Sequence, residues 1–204
     1  MQRTTMKRAN DKASKAFREQ TILQAALTLF ANNGFQATKM ESIAAAAGIS
    51  KGTIYLYFDS KETLFRRLIS QQIGAKLQDG IKQLENTQSL SVVFARMADE
   101  MVMLLTESPL PQLLRILISE SAIFPEMVTF YRECVIEPWL GALSKKLGGD
   151  ERARHLAKLV MAPYVLSILS QEIFFANQPN DKETLRALFT TQFKMIEQLL
   201  QKQD

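Results

Sequence analysis

The sequence predicts an all-α fold, and three observations carry that prediction. No alternating Val/Ile/Thr run of useful length is present, so strand signals are nearly absent. Apolar residues recur instead at three- and four-residue spacing over long stretches. Six prolines and eight glycines in 204 residues leave few points where a helix must break.

The elements follow in order. Residues 1–13 are polar, with Arg3, Lys7, Arg8 and Lys12 against Asp11, and predict a flexible basic arm. A first helix over residues 14–32 carries an apolar stripe of Ile22, Ala26, Leu29 and Phe30, broadened by Leu23 and Leu27. Gly34 is the expected left-handed cap, and Phe35 anchors the return.

The stretch from Thr38 to Lys61, TKMESIAAAAGISKGTIYLYFDSK, has the form of a helix, a tight turn and a second helix of about two turns. Thr38 and Glu41 stand at capping-box spacing. Ile43, Ala44 and Ala47 give one small apolar face, and Gly48 enters a left-handed turn without steric cost. Ile54 and Phe58 point inward, which leaves Lys51, Gly52, Thr53, Tyr55 and Tyr57 outward. A cation, a hydroxyl and two phenols on a solvent-facing stripe suit the major groove of DNA, where side chains meet base edges and phosphates. These observations predict a helix-turn-helix DNA-binding domain over residues 14–60.

Beyond it, residues 61–85 read as one long helix with Leu64, Leu68, Ile73, Leu77, Ile81 and Leu84 inside; Gly74 and Gly80 are positions where it can bend. From Ser89 the helices are greasier. They are predicted over 89–107, 112–122, 125–147 with a kink or split at Pro138, 151–176 with a kink at Pro163, and 182–202, about nine in all. Residues 61–204 are read as a helical ligand-binding and dimerisation domain.

Charge is unevenly placed. Residues 1–67 hold eleven Lys/Arg against five Asp/Glu, whereas the rest is slightly acidic. A basic head on an acidic body is an electrostatic footprint of nucleic-acid binding. Cys134 is the single cysteine, so no intrachain disulfide forms, and it is expected to be buried. The first residues have no apolar core for a signal peptide, and no window approaches eighteen consecutive apolar residues; the simple expectation is a cytoplasmic protein with no membrane partner.

The segment SKGTIYLYFDSKETLF, residues 50–65, resembles the recognition helix and following segment of TetR-family transcriptional regulators. The resemblance extends back through FREQTILQAALTLFANNGF and covers about residues 17–70. It implies that Lys51, Gly52 and Tyr55 fall where family members meet base edges. Thr38, Thr53, Tyr57 and Lys61 fall where they meet phosphates. Lys39 stands where many relatives carry a second hydroxyl residue and is assigned a longer-reaching phosphate contact. The stretch LLRILISESAIFPEMVTFY, residues 113–131, also resembles the ligand-binding halves of some members.

That resemblance implies a homodimer on double-stranded operator DNA, released by a small apolar or amphipathic effector. The Met- and aromatic-rich second half suits an adaptable cavity. Its predicted wall comprises Phe94, Met97, Met101, Phe130 and Trp139, with Glu120, Gln171 and Arg115 as polar anchors. The last two helices are expected to pair with their copies in a second subunit. No nucleophile–base pair, metal-ligand cluster or Gly-rich phosphate loop is present in the sequence, so no enzyme, cofactor or metal is expected. The rival from another class is a helical carrier or sensor of apolar molecules whose DNA module is vestigial; the outward Lys51/Tyr55/Tyr57 stripe argues against it.

Overall fold

The computed structural model describes residues 2–87, 89–170 and 181–201, with side chains given from Ala13 onward except Ala75 and Gln201. Among these, every regular element is a helix. The order is α1 (Gln2–Asn33), α2 (Met40–Ala46), α3 (Lys51–Ile54), α4 (Lys61–Asn86), α5 (Leu90–Glu107), α6 (Leu110–Glu120), α7 (Pro125–Tyr131), a π-helical turn (Arg132–Ile136), α8 (Glu137–Lys146), α9 (Glu151–Leu169) and α10 (Lys182–Gln201). Because α7, the π turn and α8 are continuous, these elements form nine helical runs.

Contacts divide the chain into two compact units, Met1–Ile69 and Ser70–Asp204. The first unit reaches past the boundary predicted at residue 60, because Leu64, Phe65, Leu68 and Ile69 at the start of α4 are buried. α1 begins at Gln2, within the stretch expected to be a basic arm. The first 33 residues of the chain contain no proline or glycine to stop a helix.

The first unit is packed around aromatic rings. Phe35 lies 4.9 Å from Phe30 and 5.8 Å from Phe65, centroid to centroid. Ile22, Leu23, Ile43, Ile54 and Leu64 fill the space around them and are buried. Gly34 and Gly48 take φ of +82° and +68°, as their turns require.

In the second unit, the prolines show how a helix survives a missing donor. Pro138 cannot bond the carbonyl four residues back. The helix widens just before it, and the Glu137 amide donates five residues back to Arg132. The predicted kink or split is therefore a π turn. Pro163 sits inside α9 and leaves the Leu159 carbonyl without its helical donor. Gln192 on α10 supplies one: its Nε2 donates to the Leu159 oxygen at 2.6 Å and contacts the Val160 oxygen at 3.3 Å. One side chain thus repairs α9 and pins α10 to it. Cys134 is exposed, against expectation, because it lies on the outer face of the π turn.

Candidate nucleic-acid interface and effector cavity

The turn motif is built by local hydrogen bonds. Ser50 caps α3: its Oγ accepts from the Thr53 amide at 3.1 Å and lies 2.8 Å from the Thr53 hydroxyl. α3 proper is a single turn. The chain continues through Tyr55–Tyr57 with tighter bonds, Leu56 N–H to Thr53 and Tyr57 N–H to Ile54. The predicted two-turn helix is therefore one α turn and a tightened extension.

Its inward and outward faces separate as the pattern requires. Ile54 and Phe58 are buried, whereas Lys51, Gly52 and Tyr55 are exposed and Thr53 and Tyr57 half-exposed. Leu56, which sequence reasoning passed over, is 79% exposed. An exposed leucine between two tyrosines is the signal that was available, and its chemistry suits contact with a thymine methyl group.

Lys51 is not free in this state. Its ammonium lies 2.6 Å from the Glu41 carboxylate on α2. The hydrogen bond from Lys51 holds the Glu41 carboxyl below its ordinary range and, reciprocally, raises the Lys51 pKa. Reading a guanine with Lys51 requires exchanging one acceptor for another.

Two of the residues expected at phosphates, Thr38 and Lys61, hold the turn between α1 and α2. Thr38 is only 3% exposed. Its hydroxyl donates to the Gly34 carbonyl at 2.7 Å and contacts the Leu29 carbonyl at 3.3 Å, so it closes the α1–α2 turn. The predicted capping box does not form: Lys39 is the N-cap residue of α2, with no side-chain cap bond, and Glu41 turns to Lys51. Lys61 donates to the Phe35 and Gln36 carbonyls at 2.8 Å each, reaches Thr38 O at 3.5 Å, and lies 4.7 Å from the Phe35 ring centroid. Its ammonium is thus committed to the turn that Thr38 also holds. Lys39 remains exposed, beside the start of α2.

The second unit contains the cavity. Its larger chamber, about 280 Å³, is walled by Ile73, Leu77, Met103, Leu104 and Trp139, with Lys76, Asp79, Gln83 and Glu100 as its polar lining. A smaller inner chamber shares Ile73, Glu100, Leu104 and Trp139, and adds Met97, Met101, Tyr131 and Tyr164. Of the predicted wall, Met97, Met101 and Trp139 meet here. Phe94 does not; it stacks on Phe193 at 4.9 Å in the α5–α10 core. Phe130, Glu120 and Arg115 lie off both chambers, and Gln171 falls outside the described residues.

Gly80 has a different use from the predicted bend. A Cβ there would stand 3.0 Å from the Trp139 ring and 3.7 Å from Glu100 Oε2. The bare glycine lets the indole lie against α4, next to a carboxylate that the sequence reading did not single out. Burial raises the Glu100 pKa, because the charged form loses water there.

Comparisons with known proteins match the turn-motif region in sequence and most of the chain in fold. Residues 22–68 match the family of bacterial regulatory proteins of the tetR type. The uncharacterised transcriptional regulator YfiR of Bacillus subtilis is 37% identical over 84 residues, 41% of this chain and 39% of that one. The transcriptional repressor KstR2 of Rhodococcus jostii is 43% identical over 61 residues, 30% of each. The matched stretches therefore span well under half the length of these relatives. In fold, the chain is similar to FadR of Bacillus subtilis, solved in complex with stearoyl-CoA, with a TM-score of 0.69 at 18% identity over 87% of this chain and 96% of that one.

Proposed function

The chain belongs to the TetR family of bacterial regulatory proteins, and on that premise we propose that it is a homodimeric repressor, released from operator DNA by an effector with an apolar body. The observation that carries the reading is the contrast on α3 and its extension: Ile54 and Phe58 are buried, while Lys51, Tyr55 and Leu56 face out. An outward stripe of this chemistry costs solubility and contributes nothing to a core; it serves a groove. Lys51, Gly52, Tyr55 and Leu56 are assigned to base edges. Lys39, Thr53 and Tyr57 are assigned to phosphates, while Thr38 and Lys61 hold the turn that presents them.

Dimerisation is supported by the outer faces of α9 and α10. Leu159 and Leu166 on α9, and Leu188, Met195 and Leu199 on α10, are large apolar side chains left exposed. Covering them in an interface above about 1,200 Å² in total gives a stable pair. The pair sets two recognition elements about 34–36 Å apart, one turn of DNA.

α4 contributes residues to both units. Its first turn holds Lys61, and its later turns supply Ile73, Leu77 and Gly80 around the cavity. An effector that shifts α4 alters the spacing of the two recognition elements, and one of the two groove contacts is lost. Linkage requires that the effector then bind the DNA-bound dimer more weakly by the same factor, with a coupling of about 1–3 kcal/mol.

The test is selection of bound duplexes from a random pool, followed by affinity measurements on the selected sequence in several salt concentrations. A specific site with log affinity falling linearly in log salt supports the reading. No enrichment of any sequence overturns it.

A further inference from the structure

The proposed function leaves the effector's chemistry open beyond an apolar body. Two polar groups in the cavity have no partner that explains them. The Tyr164 hydroxyl is buried and makes no hydrogen bond among the described residues. An unpaired buried hydroxyl is destabilising, because it has lost water and gained no partner. Tyr164 lines the inner chamber, as do Tyr131 and Met161.

The second group is the Glu100 carboxylate. It lines both chambers and is half-buried. It makes no hydrogen bond and no ion pair within 4 Å among the described residues, though Arg96, Lys76 and Asp79 lie near enough to act through space. Arg96, Lys76 and Asp79 are all exposed, so water solvates them, and the two cations compensate Glu100 weakly. An ionised carboxylate offers acceptors only.

Directly beside it stands the Trp139 indole. The empty Cβ position of Gly80 is 3.0 Å from the ring and 3.7 Å from Glu100 Oε2, which fixes carboxylate and indole as neighbours. A carboxylate next to the best cation-binding ring attracts positive charge from two sides. Met97, Met101 and Leu104 supply the apolar wall for the remainder of a ligand.

We propose that this cavity recognises a protonated amine on an apolar body, with the ammonium held between Glu100 and Trp139. This rests on the regulatory reading only for its consequence, release of DNA; the binding itself is testable without DNA.

Trp139 is the single tryptophan, so its fluorescence reports the site. The probes share one body and differ in charge: 4-butylbenzylamine, 4-butylbenzyl alcohol and 4-butylbenzoate, each titrated at neutral pH into the full chain and into Glu100→Gln. The amine is expected to bind about tenfold or more tighter than the alcohol, the ratio that one charged hydrogen bond supports, and the benzoate weakest. In Glu100→Gln that preference falls to near unity while alcohol affinity holds. Gly80→Ala, which displaces the indole, weakens all three. Equal affinities across the probes, tightest binding by the benzoate, a preference that survives Glu100→Gln, or no binding up to millimolar concentration overturns the proposal. Operator affinity measured with and without saturating amine then separates the two readings. If the amine binds selectively and DNA affinity is unchanged, the site assignment stands and the regulatory reading fails.

Discussion

The two units solve opposite problems with similar material. In the first, every special residue is used to remove freedom. Gly34 and Gly48 turn the chain, Thr38 and Lys61 both bind carbonyls of the same turn, and Phe35 is clasped by two rings and an ammonium. In the second, special residues leave something open. Gly80 makes room for an indole, Tyr164 keeps an unpaired hydroxyl, and Met97 and Met101 line space. A reader of DNA must hold its side chains in a fixed register, whereas a sensor must accommodate a guest. The difference teaches that burial alone does not distinguish core from site; a polar group left unsatisfied beside a cavity is the better mark.

The sharpest way to break the comparison is Phe35→Ala. Removing a fully buried ring at the centre of the first unit should cost about 3–5 kcal/mol, and the unit should lose its cooperative thermal transition in calorimetry. A loss below about 1 kcal/mol would show that the first unit is no tighter than the second.

Lys61→Met comes next. Loss of the ammonium leaves the Phe35 and Gln36 carbonyls without this donor, and hydrogen bonds to charged groups contribute about 1.5–3 kcal/mol. Denaturant unfolding should show that loss. A variant with unchanged stability and a salt slope lowered by about one would instead return Lys61 to the phosphates.

For the second unit, Gly80→Ala sharpens the contrast. On an open helix face the change would stabilise by up to about 1 kcal/mol. Here the new methyl meets Trp139 at 3.0 Å, so overpacking should instead destabilise by about 1–3 kcal/mol, with a shifted Trp139 emission. A gain in stability would show that the indole moves freely and the cavity is not shaped by it.

Glu41→Gln has the smallest expected effect. Both partners are exposed, so stability should hold. Lys51 is released, and affinity for non-selected DNA should rise severalfold with a steeper salt dependence. Unchanged binding to such DNA would mean that Lys51 does not reach the duplex.

Much of this was legible in the sequence where period and turn chemistry are strong. The all-α fold, the glycine turns and the split between Ile54/Phe58 and Lys51/Tyr55 follow from spacing alone. What escaped were side chains whose partners lie far along the chain. Lys61 bonds carbonyls 25 and 26 residues away. Gln192 reaches 33 residues to repair the helix at Pro163. Glu100 and Trp139 come from different helices, and Gly80 looks like a hinge until the indole is placed against it. Thr38 and Glu41 fit the spacing of a capping box, but Thr38 donates to the Gly34 carbonyl four residues back and Glu41 pairs with Lys51 on the next helix.

The most direct test of the central claim is discrimination by the outward stripe. Affinity for the selected duplex and for a scrambled one is measured in the same salt for the parent chain and for Tyr55→Ala. The parent should prefer the selected duplex by about a thousandfold or more. Tyr55→Ala should lose about tenfold or more of that preference at an unchanged thermal midpoint. Equal discrimination by the two proteins, or a parent that binds both duplexes alike, would contradict the claim that this face reads DNA sequence.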